Sequence, residues 1–466
     1  MAKKYSSCRY ERHDVLRVFN ETNQPKTMRK PMKFRISYYI PIFLASTLST
    51  TVQATTWPDD ANAILQYRNY YWDENPQDGA GPTREEWVHA LLLEMDSGDI
   101  HDTFGFELGL GAADALMVGD SADNITNLRA GSSVQDPHGF AEVTRAYLRA
   151  QFGDDGHRLR LGAGKKTRHY RLYADNPTRI LPAASLGYDL FYEVGDLEIY
   201  FSRIERFSRR EDGNWGDKLS NFQGQEIDAV HLAGLDYSLP ADLRLEAEYL
   251  ESDDYIRQGL VRLSHQAQLG DDLTLQTRIA HGRQEDAGER FDTQAIPGRY
   301  PAASGHNARY NEFGLRLSHH DSYVGVDHTR VWGDNYDRLL FADDHGYWES
   351  SGNNFYRFGL EGEAMWKVSA GLGFADLGLP GLRWDGAYAF SDEATGFSDF
   401  SRREWRSRLQ YRFDGALDGL SLAWLYVNHD TDGEPAAING KAPTFGPAGL
   451  ITHEANRLYL TYRYDF

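Results

Sequence analysis

The chain has 466 residues with a net charge of −20, 41% hydrophobic and 13% aromatic residues, and a single cysteine, Cys8. No run of about 18 apolar residues occurs, so helical membrane spans are excluded. The acid excess argues against a nucleic-acid partner, which needs basic patches, and one cysteine excludes a disulfide scaffold.

Residues 1–27 are polar and mixed. Met28-Arg29-Lys30-Pro31-Met32-Lys33-Phe34-Arg35 then supplies a basic head, Ile36 to Leu48 a short apolar run, and Val52-Gln53-Ala54 a small-residue exit. That order predicts a secretory signal peptide over 28–54, cleaved after Ala54. Residues 1–27 are expected to be an over-extended start. Cys8 precedes the apolar run and cannot be a lipid-attachment cysteine. Removing ten basic and three acidic residues with the segment 1–54 takes the net charge from −20 to −27. Residues 55–466 are long enough for several soluble domains, yet they contain no linker and no composition shift, and are read as one domain.

From there the chain breaks into short segments that alternate apolar and polar residues, the period of a strand with two unlike faces. They include Trp87–Met95, Phe104–Leu110, Ala146–Phe152, Leu186–Val194, Leu243–Tyr249, Leu273–Ile279, Phe313–Leu317, Leu420–Tyr426 and Leu458–Phe466. Eight tight turns rich in Gly, Asp, Ser and Pro fall near 96–99, 153–156, 194–196, 239–242, 269–272, 319–322, 379–381 and 413–419. Between them lie longer polar loops at 73–84, 115–139, 167–183, 208–225, 284–307, 334–353, 391–401 and 429–453, with one short exception near 251–255. Eight turns and nine loops predict eighteen strands with both ends on the tight-turn side. Short turns alternating with long loops are the mark of an outer-membrane barrel. The predicted fold is therefore an all-β, transmembrane, antiparallel up-and-down barrel. Its last strand, ending Tyr464-Asp465-Phe466, is the expected closing strand and assembly signal.

With each apolar face assigned to lipid, the other face is lumenal. This turns Arg145, Arg149, Arg158, Arg160, Lys166, Arg406, Arg408, Arg412 and Arg457 inward, a basic ladder in an acidic protein. Charged rings in a narrow pore select by sign, and the guanidinium fork matches a carboxylate. The plainer alternative is that such arginines pair with lumenal acids. Loop 167–183 carries Arg168, His169, Arg171 and Arg179 among apolar anchors, and is predicted to fold inward as a constriction.

The same loop carries a resemblance. Asn176-Pro177-Thr178-Arg179-Ile180-Leu181-Pro182 followed by Gly187 resembles the constriction segment of the OprD-type porins. Arg68-Asn69-Tyr70-Tyr71-Trp72, Glu86-Trp87 running to Asp96-Ser97-Gly98, and His453 to Leu458 are similar to other parts of that family, so the likeness spans 61–466. It implies an eighteen-stranded porin that takes up small solutes, typically carboxylates or amino acids, past basic residues. It marks Arg171 and Arg179 as eyelet residues, with Arg168, Tyr170 and Tyr173 beside them, and Arg457 as part of the ladder. Ser421-Leu422-Ala423-Trp424-Leu425 departs from the pattern by offering no lumenal arginine. Chitoporin-like relatives are the alternative, with Tyr170, Tyr173 and Trp348 as sliding surfaces for sugar rings. A barrel hydrolase is a third reading, resting on His319-His320-Asp321 and Asp343-Asp344-His345, but no nucleophile motif accompanies them. No enzyme activity, cofactor or metal is expected. The expected partners are an anionic or zwitterionic solute, outer-membrane lipid, lipopolysaccharide and the barrel-assembly machinery.

Overall fold

The computed structural model describes residues 58, 60–76, 82–154, 156–211, 213–221, 224–291, 305–336, 341, 345–435 and 451–466. The expected signal peptide and Cys8 lie outside the described residues. Eighteen long strands follow one another: β1 (Asn62–Pro76), β2 (Arg84–Asp96), β3 (Phe104–Val118), β4 (Phe140–Asp154), β5 (His157–Lys166) and β6 (Ala184–Val194). Next come β7 (Leu197–Ser208), β8 (Val230–Leu239), β9 (Leu243–Ser252), β10 (Ile256–Gln268), β11 (Leu273–Asp286) and β12 (Asn307–His319). The last six are β13 (Ser322–Trp332), β14 (Ala364–Gly373), β15 (Leu382–Ser391), β16 (Phe397–Arg412), β17 (Leu420–Pro435) and β18 (His453–Asp465).

Each strand pairs antiparallel with the next. β18 returns to β1 in unbroken register from Ile64↔Asp465 to Pro76↔His453, so the sheet closes and leaves no edge. All eight predicted tight turns join strands on one rim, and the long loops leave the other. In the β6–β7 turn Gly195 adopts φ 55°, a conformation glycine takes without a Cβ clash.

Burial is inverted relative to a soluble protein. Leu148, Val261, Ile279, Val324 and Leu458 stand exposed on the outside at half or more of their surface. Between them, inner-face residues such as Glu86, Glu248, Glu312 and Glu404 are buried. The reason is that the long loops fold inward and pack against the wall. One apolar cluster joins loop residues Tyr170, Leu172, Tyr173, Leu219, Ile227, Phe291, Tyr336, Phe341 and Trp348 to wall residues of β7–β13, among them Tyr200, Leu250 and Tyr310. A second seats Ile180 and Leu181 on Val88, Ala90, Leu92 and Ala113 of β2 and β3.

The outward alternation yields a direct test. Leu458→Arg, on the lipid face, is expected to cost about 2–4 kcal/mol, seen as a lower unfolding midpoint in lipid vesicles. Arg463→Ala, at the tight-turn rim beside Asp465, should move the midpoint by less than about 0.5 kcal/mol. Equal effects would contradict the assignment of faces.

Candidate functional site

Four buried glutamates of the inner wall determine where the loops run. Glu86 accepts the backbone N–H of Thr126 at 3.1 Å and of Asn127 at 3.1 Å. Glu248 accepts those of Arg171 at 3.1 Å and Leu172 at 2.6 Å. Glu404 accepts those of Phe355 at 2.9 Å and Tyr356 at 2.8 Å. Glu312 takes the N–H of Ser351 and the hydroxyl of Ser350, both at 2.6 Å. A buried carboxylate is stable only when its lone pairs are satisfied, and neighbouring loop amides satisfy these. Loops 167–183 and 333–363 also hold each other: His345 Nδ1 lies 2.9 Å from Asp175 Oδ1, and Tyr173 bridges to Gly346.

Several expected eyelet residues are therefore anchors, which corrects the sequence reading. Arg168 is 1% exposed. It forms a fork to Asp189, with Nε 3.0 Å from Oδ1 and a second nitrogen 2.9 Å from Oδ2. Tyr170 donates to the same carboxylate at 2.8 Å, and Tyr173 is wholly buried. Arg171 is enclosed by Asp236, Glu246 and Glu349. Burial works against its charge, but the hydrogen bond to Glu246 and the attraction of Tyr200, Glu246 and Glu349 together outweigh it and hold the guanidinium more firmly charged than usual. None of these four faces the open lumen. Trp348 is buried too, so the aromatics that suited a sugar-sliding surface are core residues.

The open lumen is a central cavity of about 1520 Å³. Its lining includes Asn176–Arg179 of one inward loop and Asn353–Tyr356 of the other. Of the expected ladder, Arg406, Arg408 and Arg457 line it, and Arg179 reaches it from the loop. Arg145, Arg149, Arg158, Arg160, Lys166 and Arg412 do not. The inner-face assignment of the β4 and β5 residues agrees with their strand neighbours, but local acids neutralise most of them. Arg145 pairs with Glu94 and Glu107, and Arg149 with Asp96, Asp99 and Glu107. Arg160 meets Glu193 and Glu198, and Lys166 meets Asp189. The plainer alternative thus describes that wall.

Sequence reasoning missed Arg84, Arg244, Arg278, Arg316 and Lys367, which also line the cavity. Their inward parity on β2, β9, β11, β12 and β14 was a legible signal. The lining holds nine cations against five carboxylates, Glu74, Asp242, Glu246, Asp327 and Asp385. Most of these cations are paired: Arg84 and Arg457 with Glu74, Arg244 with Asp236, Arg278 with Glu312 and Asp327, and Lys367 with Asp327. Among the described residues, Arg316, Arg406 and Arg408 carry no carboxylate partner. Arg316 instead lies 3.6 Å over the Tyr323 ring. Arg408 stands across from Asp385 in register, but that carboxylate is held bidentately by Arg383 at 2.9 and 2.8 Å.

At the constriction the cations stack on rings. Arg457 lies 3.7 Å over Trp72 and 4.7 Å over Phe355, and Arg179 lies 5.3 Å from the centre of the Trp72 ring. Cation–π contact fixes the guanidinium plane without neutralising it. Register places Arg408, Leu425, Arg457 and Trp72 at one level on β16, β17, β18 and β1, so this level narrows from both wall and loop. Of the histidines of the hydrolase reading, His319 and His320 occupy an exposed tight turn, where His320 lies 3.4 Å from Asp272, and His345 is buried against Asp175; none of the three lines the cavity, and Asp343 and Asp344 lie outside the described residues.

The clamp predicts its own failure. Glu404→Ala strands two loop N–H groups and the His429 ring, 3.1 Å away. An expected cost of about 2–5 kcal/mol should appear as a lower unfolding midpoint and as added noise in the open-channel current. A quiet, equally stable channel would contradict the anchoring role.

Comparison with known proteins agrees with this geometry. The family model described as outer membrane porin, OprD family, matches residues 56–442. Among solved structures, Pseudomonas aeruginosa OccK9 (OpdG) superposes with a TM-score of 0.73 at 20% identity, covering 88% of this chain and 100% of its own. Acinetobacter baumannii OccAB2 gives 0.71 at 19% identity, covering 88% and 99%. Pseudomonas aeruginosa OpdK, in a crystal structure with vanillate, gives 0.69 at 19% identity, covering 88% and 100%. No curated protein sequence matches.

Proposed function

Because this chain belongs to the OprD family of outer-membrane porins, an integral outer-membrane channel for solute uptake, we propose that it admits small carboxylates, amino acids included. The observation that carries this reading is the set of water-facing arginines without an acid partner, Arg316, Arg406 and Arg408, inside an otherwise charge-paired cavity. A carboxylate that sheds part of its hydration needs a donor fork that is not already occupied. Arg406 and Arg408 offer two such forks on one strand face, a short step apart, so an anion can move between them without being trapped.

Passage runs from the long-loop side past Arg179 and the Arg457–Trp72–Phe355 stack, with Arg406 and then Arg408 along β16 and Arg316 in register with Arg406 four strands away on β12. The aromatic rim of Trp72, Phe355, Tyr356 and Tyr459 suits a solute with a small ring beside its carboxylate. Vanillate, seen with OpdK, belongs to that chemical class. The chito-oligosaccharide reading has no comparable support, since Tyr170, Tyr173 and Trp348 are buried. The relatives are channels, and the same reading is proposed here in place of an enzyme.

Residues 28–54 are proposed as the export signal and 55–466 as the barrel domain, in keeping with a family match that begins at residue 56. Lipid, lipopolysaccharide and the assembly machinery are the partners this placement requires.

The test is the reversal potential of purified protein in a planar bilayer under a potassium chloride gradient. A free charge about 6 Å from a passing ion in water is worth ~0.7 kcal/mol, about threefold in permeability. Arg406→Gln with Arg408→Gln should lower chloride preference severalfold, whereas Arg149→Gln with Asp96→Asn, which removes both members of a pair and leaves the net charge as it was, should leave it unchanged. Arg179→Ala should lower it more than Arg463→Ala. Equal loss from the paired Arg149→Gln and Asp96→Asn variant, or a cation-selective wild type, would overturn the proposal.

A further inference from the structure

Two tight turns stand side by side on the short-turn rim, because β11 and β12 pair in register down to Leu273↔His319. That last pair brings the turn 269–272, between β10 and β11, against the turn between β12 and β13, where His319 pairs with Ser322. Strand alternation alone would send the side chains of His319 and His320 to opposite faces. His320 instead adopts φ 48°, a left-handed conformation that reverses the chain at that point. The two imidazoles come together, with ring centroids 4.3 Å apart. Asp272 of the neighbouring turn completes the group: one ligand atom from each of Asp272, His319 and His320 lies within 4.8 Å of the other two.

All three side chains are exposed, so the packing of the barrel makes little use of them. Among the described residues their only polar contact is His320 Nε2 to Asp272 Oδ2 at 3.4 Å, longer than a good hydrogen bond. The same turns carry Asp271 and Asp321 and no Lys or Arg. Arg383 donates to the Asp321 carbonyl at 2.8 Å, but its fork is already closed on Asp385. The surroundings therefore attract a cation.

Two imidazole nitrogens and one carboxylate oxygen form a donor set that zinc, copper(II) and nickel prefer. Calcium and magnesium demand oxygen throughout. Around a tetrahedral zinc ion with bonds of about 2.0–2.1 Å, neighbouring ligand atoms lie about 3.3 Å apart. The three side chains have to close by about 1.5 Å at most, a change that rotamer shifts of exposed groups supply. Three protein ligands leave the fourth position to water. Asp272 and the histidines are far apart in sequence, so no spaced ligand motif announces them; the register of β11 and β12 assembles them.

We infer that this pair of turns binds a divalent transition-metal ion, zinc being the representative, with His319, His320 and Asp272 as ligands and water in the open position. The ion links the two turns across the β11–β12 seam. None of the three residues lines the central cavity, so the site is independent of which solute the lumen carries.

The test is isothermal titration calorimetry of the full mature protein in detergent, free of any histidine tag, with zinc chloride. Wild type should take up one zinc ion at this site. Losing a group that merely supports a metal ligand costs about ten- to hundredfold in affinity. His319→Gln and His320→Asn remove ligands outright and should each weaken zinc by at least about a hundredfold. Asn accepts the left-handed position at 320, so the turn is kept. Asp272→Asn should weaken zinc by about tenfold or more. Asp414→Asn with Asp418→Asn, in a different acidic turn, should leave binding intact. X-ray absorption at the zinc edge should show scattering from two imidazole rings. Heat-modifiable gel mobility confirms that each variant is folded. No zinc uptake by wild type, unaltered uptake by both histidine variants, or displacement of zinc by excess magnesium would overturn the proposal.

Discussion

A loop that folds inside a barrel brings its backbone N–H groups away from water, and each must find an acceptor. The inner wall meets that requirement with Glu86, Glu248, Glu312 and Glu404, each taking hydrogen bonds from adjacent loop residues. The exchange is mutual, because the same amides stabilise a carboxylate that has lost its hydration. Everything at the constriction follows from it. Glu404 holds Phe355 where it stacks on Arg457, Glu248 holds the segment whose Tyr170 and Tyr173 enter the aromatic core, and Glu86 holds Asn127. Asn127 in turn receives the N–H of Ile180 at 2.8 Å, next to Arg179.

The same economy governs the arginines. A lumen full of unpaired cations would repel itself, and a buried charge without a partner is severely destabilising. Most inner arginines are accordingly neutralised within a residue or two of register, and they act as braces. Arg168 on Asp189 and Arg171 among Asp236, Glu246 and Glu349 are the extreme cases. What remains is a small surplus of charge exposed to lumenal water, concentrated on β16 and facing the constriction. On the reading proposed here, selectivity depends on which arginines lack a partner, a property that their number does not reveal.

The wall was legible from sequence because strand alternation and loop length are local patterns. Every tight turn fell where composition placed it, the loop expected at 391–401 proved shorter because β16 begins at Phe397, and inward parity was correct for Arg145, Arg149, Arg406, Arg408 and Arg457. The path of the loops was not legible, because it depends on partners far away in the chain: Arg171 reaches Glu246 and Arg168 reaches Asp189 across separate strands. A basic residue in an inward loop therefore read as an eyelet residue, when a distant acid had already claimed it. The loop read as 334–353 was taken for an outer loop for the same reason; the connection between β13 and β14 continues to residue 363, and its Asn353–Tyr356 segment borders the cavity. Arg244, Arg278, Arg316 and Lys367 were within reach of the alternation rule, and attention to the more basic β4, β5 and β16 strands passed them over.

The most direct measurement is an anomalous diffraction map of the protein soaked with 4-bromobenzoate, in which the bromine marks the ring and fixes the carboxylate's direction. A peak in the central cavity, with its carboxylate toward Arg406 and Arg408 beside the Trp72–Arg457–Phe355 stack, is the expected result. A peak beside Arg145 and Arg149, or beside Arg168 with the Asp189 pair broken, would contradict the division between bracing and free arginines.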